Sequence, residues 1–240
     1  MAGNTVHLAP IGSAALGAAG VSAIWVVDEL PAIGALVALA YLTTSTALLL
    51  RALRRRNAAC FGWANVVTAT RSAVVAVITG LVAASFVGPI PAPLLIGLTV
   101  PALALDAMDG WVARRTGTAT ELGARFDMEV DAFLLLMLSA YVAQALGPWV
   151  LAIGLMRYVF VAAGWMLPWL RLQLPPRYWR KVVTAVQGIA LTVAASGILP
   201  ELAGVLVGVA LVLLVESFGR DVVWLAQRSR TPRAKLGAAR

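Results

Sequence analysis

A single cysteine, Cys60, and a single histidine, His7, are all the thiol and imidazole in this 240-residue chain. One cysteine excludes an intramolecular disulfide, and a small buried apolar role accounts for it. One histidine argues against a histidine-based metal centre and against a histidine-dependent nucleophilic triad. Charge is scarce too: 12% of residues are Asp, Glu, Lys or Arg, about half the share a soluble domain carries. No polar stretch is long enough to build a separate soluble domain. Apolar runs such as LVGVALVLLV (206–215) do not alternate, which argues against a membrane β-barrel.

What the chain has instead is apolar residues, 61% of the total. They fall into runs at roughly 10–27, 31–50, 61–87, 93–115, 121–146, 149–170, 180–198 and 202–226, each near the ~20 residues with which a helix crosses the hydrocarbon. The expected fold is all-α, a polytopic integral membrane helix bundle. The connections alternate in charge. DELP (28–31), GPIPAP (88–93), LGPW (146–149) and LPEL (199–202) hold no Lys or Arg. RALRRRN (51–57), ARRTG (113–117), RLQLPPRYWRK (171–181) and the tail from Arg228 are strongly basic. The positive-inside rule puts the second set, and both termini, in the cytosol. The first run, IGSAALGAAGVSAIWVV, is rich in Gly and Ala and reads as a span or as an interfacial segment. It is a poor signal peptide, with no Lys or Arg before it and no clear cleavage site after it.

The formal net charge of +8 is thus a topology signal and an attraction to anionic lipid; no nucleic-acid partner is expected. Trp149, Trp169, Trp179 and Trp224 stand at span ends, as an interfacial belt does. The tail SRTPRAKLGAAR is expected to be disordered and to face lipid.

Against this background one window is anomalous. LDAMDGWVARRTGTATELGARFDMEVDAF (105–133) holds six of the chain's eleven acidic residues. Asp106 and Asp109 lie within about 60° of each other on a helix, and Asp127 and Asp131 within about 40°. The short connection makes the two helices neighbours. Four carboxylates then converge near the membrane–cytosol boundary, where each would cost roughly 2.5–3.5 kcal/mol at mid-bilayer. Arg114, Arg115 and Arg125 offset part of that charge; one or two divalent cations would offset the rest. Oxygen-only ligands at an aqueous opening suit Mg²⁺ or Mn²⁺, and paired metals commonly clamp a phosphoryl group. Gly110, Ala113 and Gly123 let a ligand approach the backbone, and Arg114 offers a planar fork to a diphosphate. Glu129 faces away from the pocket, about 200° from Asp127. Glu121 reads as helix-start charge. The bland alternative, solvated acids paired with local arginines, serves for any one aspartate better than for four on matching faces. A cation channel or transporter also uses intramembrane carboxylates, but spreads them through membrane depth on several helices.

The window reads D-x-x-D-G-x-x-A-R-(x)8-G-x-x-x-D-x-x-x-D and in this resembles the motif of the CDP-alcohol phosphotransferase family, integral membrane enzymes of phospholipid synthesis. Every defined position matches. Two further elements echo the family. Asn65-Val-Val-Thr68-Ala-Thr-Arg71 looks like the N-x-x-T-x-x-R of its first core helix. Lys181-Val-Val-Thr184-Ala-Val-Gln187 resembles the K-x-x-T-x-x-Q of phosphatidylglycerophosphate-synthase-like members. Arg71, an arginine inside a span, needs a partner, and the acidic cluster is the candidate.

The resemblance implies a six-helix core over residues 58–227, with two extra N-terminal spans in 1–57 and a basic cytosolic tail, 228–240. It implies transfer of a phosphatidyl group from CDP-diacylglycerol to an alcohol acceptor, with release of CMP. Asp106, Asp109, Asp127 and Asp131 would hold two divalent metals, Mg²⁺ or Mn²⁺, and Asp131 would also be the general base. Gly110, Ala113, Arg114, Gly123, Asn65 and Thr68 would line the CDP site. Arg157, Arg180, Lys181 and Arg71 would face the acceptor. Glycerol 3-phosphate is the first candidate acceptor. Arg157-Tyr158 stands where such synthases tend to have Arg-Glu, and Ala-Phe follows Asp131 where many members have a basic residue. Inositol phosphate and phosphatidylglycerol therefore stay open. The family also suggests a homodimer, and a cytosol-facing site in a bacterial cytoplasmic membrane.

Overall fold

The computed structural model describes residues 5–28, 30–55, 63–116, 121–172, 174–175 and 177–230, with side chains from residue 10 onward except at 63–65, 107–116, 121 and 230. Among these residues the chain forms eight α-helices and no strand: α1 (Thr5–Val27), α2 (Ala32–Arg55), α3 (Trp63–Ser85), α4 (Ala92–Thr116), α5 (Glu121–Leu146), α6 (Leu151–Met166), α7 (Tyr178–Ser196) and α8 (Pro200–Arg230). Short 3₁₀ turns, Pro148–Val150 and Pro168–Arg171, flank α6. Each apolar run of the sequence coincides with one helix. A segment facing lipid can satisfy its backbone only by closing its own ladder of hydrogen bonds.

Among the described residues six helices, α1, α2, α3, α5, α6 and α8, are apolar and long enough to cross a membrane. The chain is an integral membrane protein. Helix α4 is 25 residues long, and its apolar stretch Ala92–Asp106 reaches the limit of its described side chains. In α7 the first turn carries Arg180 and Lys181 and the third Gln187, so its apolar part is short. Helix α7 ends at Gly197, whose φ of 66° is a left-handed conformation that an L side chain resists; Pro200 then opens α8, where a missing N–H is no loss.

Two compact units are present, Met1–Tyr141 and Val142–Arg240. In the first, α1, α2 and α4 pack on α3. Buried residues make up 72% of Val66–Ser85 but 22% of the α1 and α2 spans, so α3 is the inner helix. Helices α2 and α3 approach each other closely. A Cβ built on Gly34 would lie 2.5 Å from the Gly80 carbonyl oxygen, and one on Gly80 would lie 2.6 Å from that of Gly34. Ala38 and Ala84, one turn on from each glycine, continue the contact as a small-xxx-small seam. Trp25 of α1 closes over this crossing and donates Nε1–H to the Pro31 carbonyl at 2.9 Å.

Buried hydroxyls in both units turn back on their own helix. Thr79 donates to the Val75 carbonyl at 2.7 Å, Thr99 to Leu95 at 2.8 Å, Ser139 to Leu135 at 2.7 Å and Thr192 to Gly188 at 2.6 Å. Each needs no water, which a bilayer interior does not supply. In the second unit α7 packs on α8, and Phe160 meets Phe218 edge to face at 5.4 Å between centroids.

Candidate active site

Arg71 is the centre of the site. It stands on the inner helix α3, with its side chain fully buried. A guanidinium in that position needs several acceptors, because an unpaired buried charge is strongly destabilising. It finds them on two other helices. Nη1 donates to Asp106 Oδ1 of α4 at 2.7 Å. Nη2 donates to Asp131 Oδ1 of α5 at 2.7 Å, to Asp127 Oδ1, and to the Asp127 carbonyl at 3.4 Å. Residues 35, 56 and 60 positions from Arg71 are thereby gathered on one planar fork. The partner that an intramembrane arginine demands is the acidic cluster.

One carboxylate oxygen from each of Asp106, Asp127 and Asp131 lies within 4.8 Å of the other two. The carboxylates are not sealed in: their side chains are 38%, 29% and 25% exposed. Among the described residues, the three carboxylates share the one buried Arg71 guanidinium. Hard oxygen donors, gathered at this spacing and open on one face, fit a divalent cation of the Mg²⁺ or Mn²⁺ kind. The residues present therefore fit the metal that the motif implies.

The other predicted site residues divide into three groups. Thr68 is buried one turn before Arg71, and Gly123 is half-buried one turn before Asp127. The side chains of Asp109, Ala113, Arg114 and Asn65 lie outside the described residues, as does the surroundings of Gly110; their helices α3 and α4 are present as expected. Arg157, Arg180 and Lys181 belong to the second unit. There Arg157 is half-buried on α6 and Lys181 is exposed on α7. Arg180 donates to the Pro175 carbonyl at 2.6 Å and faces Asp221 Oδ2 at 3.5 Å.

Sequence reasoning passed over Asp221. Its side chain is only 9% exposed, so the last helix carries a buried acid besides Glu216. Glu216 itself accepts from Trp179 Nε1 at 3.0 Å and pairs with Arg220 one turn on. The available signal was a basic residue at the start of α7 with no acid near it in sequence.

No curated protein and no solved structure matches the chain. The family model for CDP-alcohol phosphatidyltransferase matches residues 61–216, more than half of the chain and the whole stretch from α3 into α8. Enzymes of this family work on CDP-alcohol substrates with an alcohol acceptor and divalent metals. With that match over the helices that bring Arg71 and three aspartates together, the chain belongs to the CDP-alcohol phosphatidyltransferase family and is a phosphatidyl-transferring enzyme of phospholipid synthesis.

Proposed function

We propose that the chain transfers the phosphatidyl group of CDP-diacylglycerol to glycerol 3-phosphate, giving phosphatidylglycerophosphate and CMP. The site would face the cytosol of a bacterial cell, with residues 58–227 as the catalytic core. The observation that carries this reading is the meeting of Asp106, Asp127 and Asp131 on one oxygen-lined, partly open face.

Asp106, Asp127 and Asp131, with Asp109, are the residues that would hold two divalent cations. When bound, such cations neutralise charge on a diphosphate and on the departing nucleotide. Arg71 holds three of the carboxylates in register from behind, so that they do not have to be ordered when substrate arrives. Asp131 takes the proton from the acceptor hydroxyl. That oxygen forms a bond to the lipid-bearing phosphorus while the bond from this phosphorus to the CMP oxygen breaks, and CMP leaves with the electron pair. Gly110, Ala113, Gly123, Asn65 and Thr68 give the nucleotide close access to the helix backbones, and Arg114 forks onto its diphosphate. Arg157, Arg180 and Lys181 supply positive charge for a phosphate-bearing acceptor. Positioning and electrostatics supply most of the rate.

A second reading of the acceptor rests on Phe133. It occupies a place near Asp131 where many relatives carry a basic residue, and it is packed on an aromatic partner. Inositol phosphate or phosphatidylglycerol then replaces glycerol 3-phosphate with the chemistry unchanged. The test is an acceptor panel on purified protein in lipid with CDP-diacylglycerol and Mg²⁺ or Mn²⁺, products identified by mass. A phosphatidylglycerophosphate product supports the first reading. Phosphatidylinositol phosphate or cardiolipin selects the second, and no CMP release with any acceptor defeats both.

A further inference from the structure

The family match begins at residue 61, yet the site is braced by a helix that lies before it. Leu122, Phe126 and Phe133 fall within about 40° of one another on α5, with Asp127 and Asp131 about 140–180° round from Leu122. The face behind the aspartates thus carries these three large apolar residues together with the exposed Glu129, and each of the three apolar residues meets α2. Leu122 and Phe126 pack on Leu49 and Leu53, which are 5% and 2% exposed. Phe133 stacks on Tyr41, with 4.5 Å between ring centroids and 16° between planes. The hydroxyl of the same tyrosine lies 3.4 Å from Ser72 Oγ, and Ser72 is the buried neighbour of Arg71. Tyr41 therefore touches α5 two residues from Asp131 and α3 one residue from Arg71. Helix α2 is itself seated on α3 by the contact of Gly34 with Gly80.

Lipid tails could cover the same three apolar side chains, but they would not fix how α5 is turned about its axis. Rotation of a membrane helix is set by the helices it packs on. A carboxylate about 6 Å from the axis moves roughly 2 Å for 20° of rotation. That is enough to break the 2.7 Å bond between Arg71 and Asp131 and to open the oxygen cluster.

We propose that α2 is a positioning element of this active site and that Tyr41 is its main positioning residue. Its ring holds the rotation of α5 against the segment of α3 that carries Arg71, and its hydroxyl is a minor contact there. The proposal rests on the reading of the aspartate cluster as the phosphatidyl-transfer centre.

The experiment compares full-length wild type, Tyr41→Leu, Tyr41→Phe and Leu191→Ala in lipid nanodiscs. Leu191 is fully buried on α7, in the other unit, and controls for loss of stability alone. Three quantities are read: the melting temperature, Mn²⁺ affinity by paramagnetic resonance, and kcat and KM for CMP release. Tyr41→Leu is expected to lower kcat about 10–100-fold, to weaken Mn²⁺ binding about tenfold and to leave KM within about threefold. Tyr41→Phe keeps the ring and is expected to stay within about threefold of wild type in all three. Leu191→Ala is expected to melt earlier with Mn²⁺ affinity unchanged. If Tyr41→Leu does not yield folded protein, Phe133→Leu removes the same stack from the α5 side and is read in the same way. A variant without the stack that keeps wild-type kcat and Mn²⁺ affinity, or that matches Leu191→Ala in every quantity, overturns the proposal. Wild type that releases no CMP defeats the functional reading instead, and Mn²⁺ affinity then decides the role of Tyr41 alone.

Discussion

Arg71 Nη2 donates to Asp131 Oδ1 at 2.7 Å across 60 residues of chain, the guanidinium wholly buried and the carboxylate a quarter exposed. The asymmetry matters. An arginine with no access to water cannot leave its partners, whereas Asp131 keeps a side open to a ligand. The interior of the network is fixed by the protein, and its exposed side is where chemistry takes place.

Removing the guanidinium should therefore damage both stability and activity. Arg71→Gln leaves three carboxylates close together without the guanidinium they share. Breaking a buried ion pair from one side costs about 3–5 kcal/mol. Thermal unfolding in detergent should show a loss of that size, with CMP release down more than about tenfold. Arg71→Lys should not rescue activity, because a compact ammonium cannot fork to carboxylates on two helices. Mg²⁺ should raise the melting temperature of Arg71→Gln more than that of wild type, since the cation replaces the missing charge. An Arg71→Gln protein with wild-type melting and turnover would contradict the network.

Asp131→Asn should separate binding from turnover. The amide keeps nearly the shape of the carboxylate but accepts no proton. Loss of a general base lowers kcat by about 10²–10⁴-fold. CDP binding, measured by calorimetry, should stay near wild type. Asp109→Asn should weaken Mn²⁺ and CDP binding together. Normal turnover by Asp131→Asn would remove the general-base role.

Chelation offers a test without mutation. EDTA should abolish CMP release, and Mg²⁺ or Mn²⁺ should restore it. A cation that binds only the folded state at about 100 times its dissociation constant stabilises by about 2.7 kcal/mol, which a melting curve resolves. Activity that persists through exhaustive chelation would exclude a metal role for the aspartates.

Gly80→Ala should be costly and Gly208→Ala should not. A Cβ at Gly80 meets the Gly34 carbonyl oxygen at 2.6 Å, and backbone has little room to yield; at Gly208 nothing lies within 4 Å. Overpacking of this kind costs about 1–3 kcal/mol, while Gly→Ala in an open helical position gains up to about 1 kcal/mol. Equal melting temperatures for the two variants would mean that α2 and α3 do not touch there.

Much of this architecture was legible in the chain. Apolar runs bounded by Gly, Pro and charge placed all eight helices, because backbone satisfaction in lipid leaves no other option. The aspartate motif pointed to the site, and Arg71 to its need for a partner. The stack of Tyr41 on Phe133 could not be read. It joins residues 92 positions apart by packing alone, and such contacts have no period or motif. The Gly34–Gly80 crossing had a signal that was missed: each glycine is followed four residues on by alanine, at Ala38 and Ala84. Asp221 was missed because an acid near the charged end of an apolar helix shows its burial only in three dimensions.

The touching glycines also bear on the order in which the chain enters the bilayer. Synthesis delivers the N-terminal part first, so Gly34 and Gly80 emerge ahead of Asp106. The pair α2–α3 can dock, with Ser72 beside Tyr41 and Arg71 next to it in the chain, before any acid of the motif reaches the membrane. The carboxylates then arrive to a counter-ion that is waiting for them.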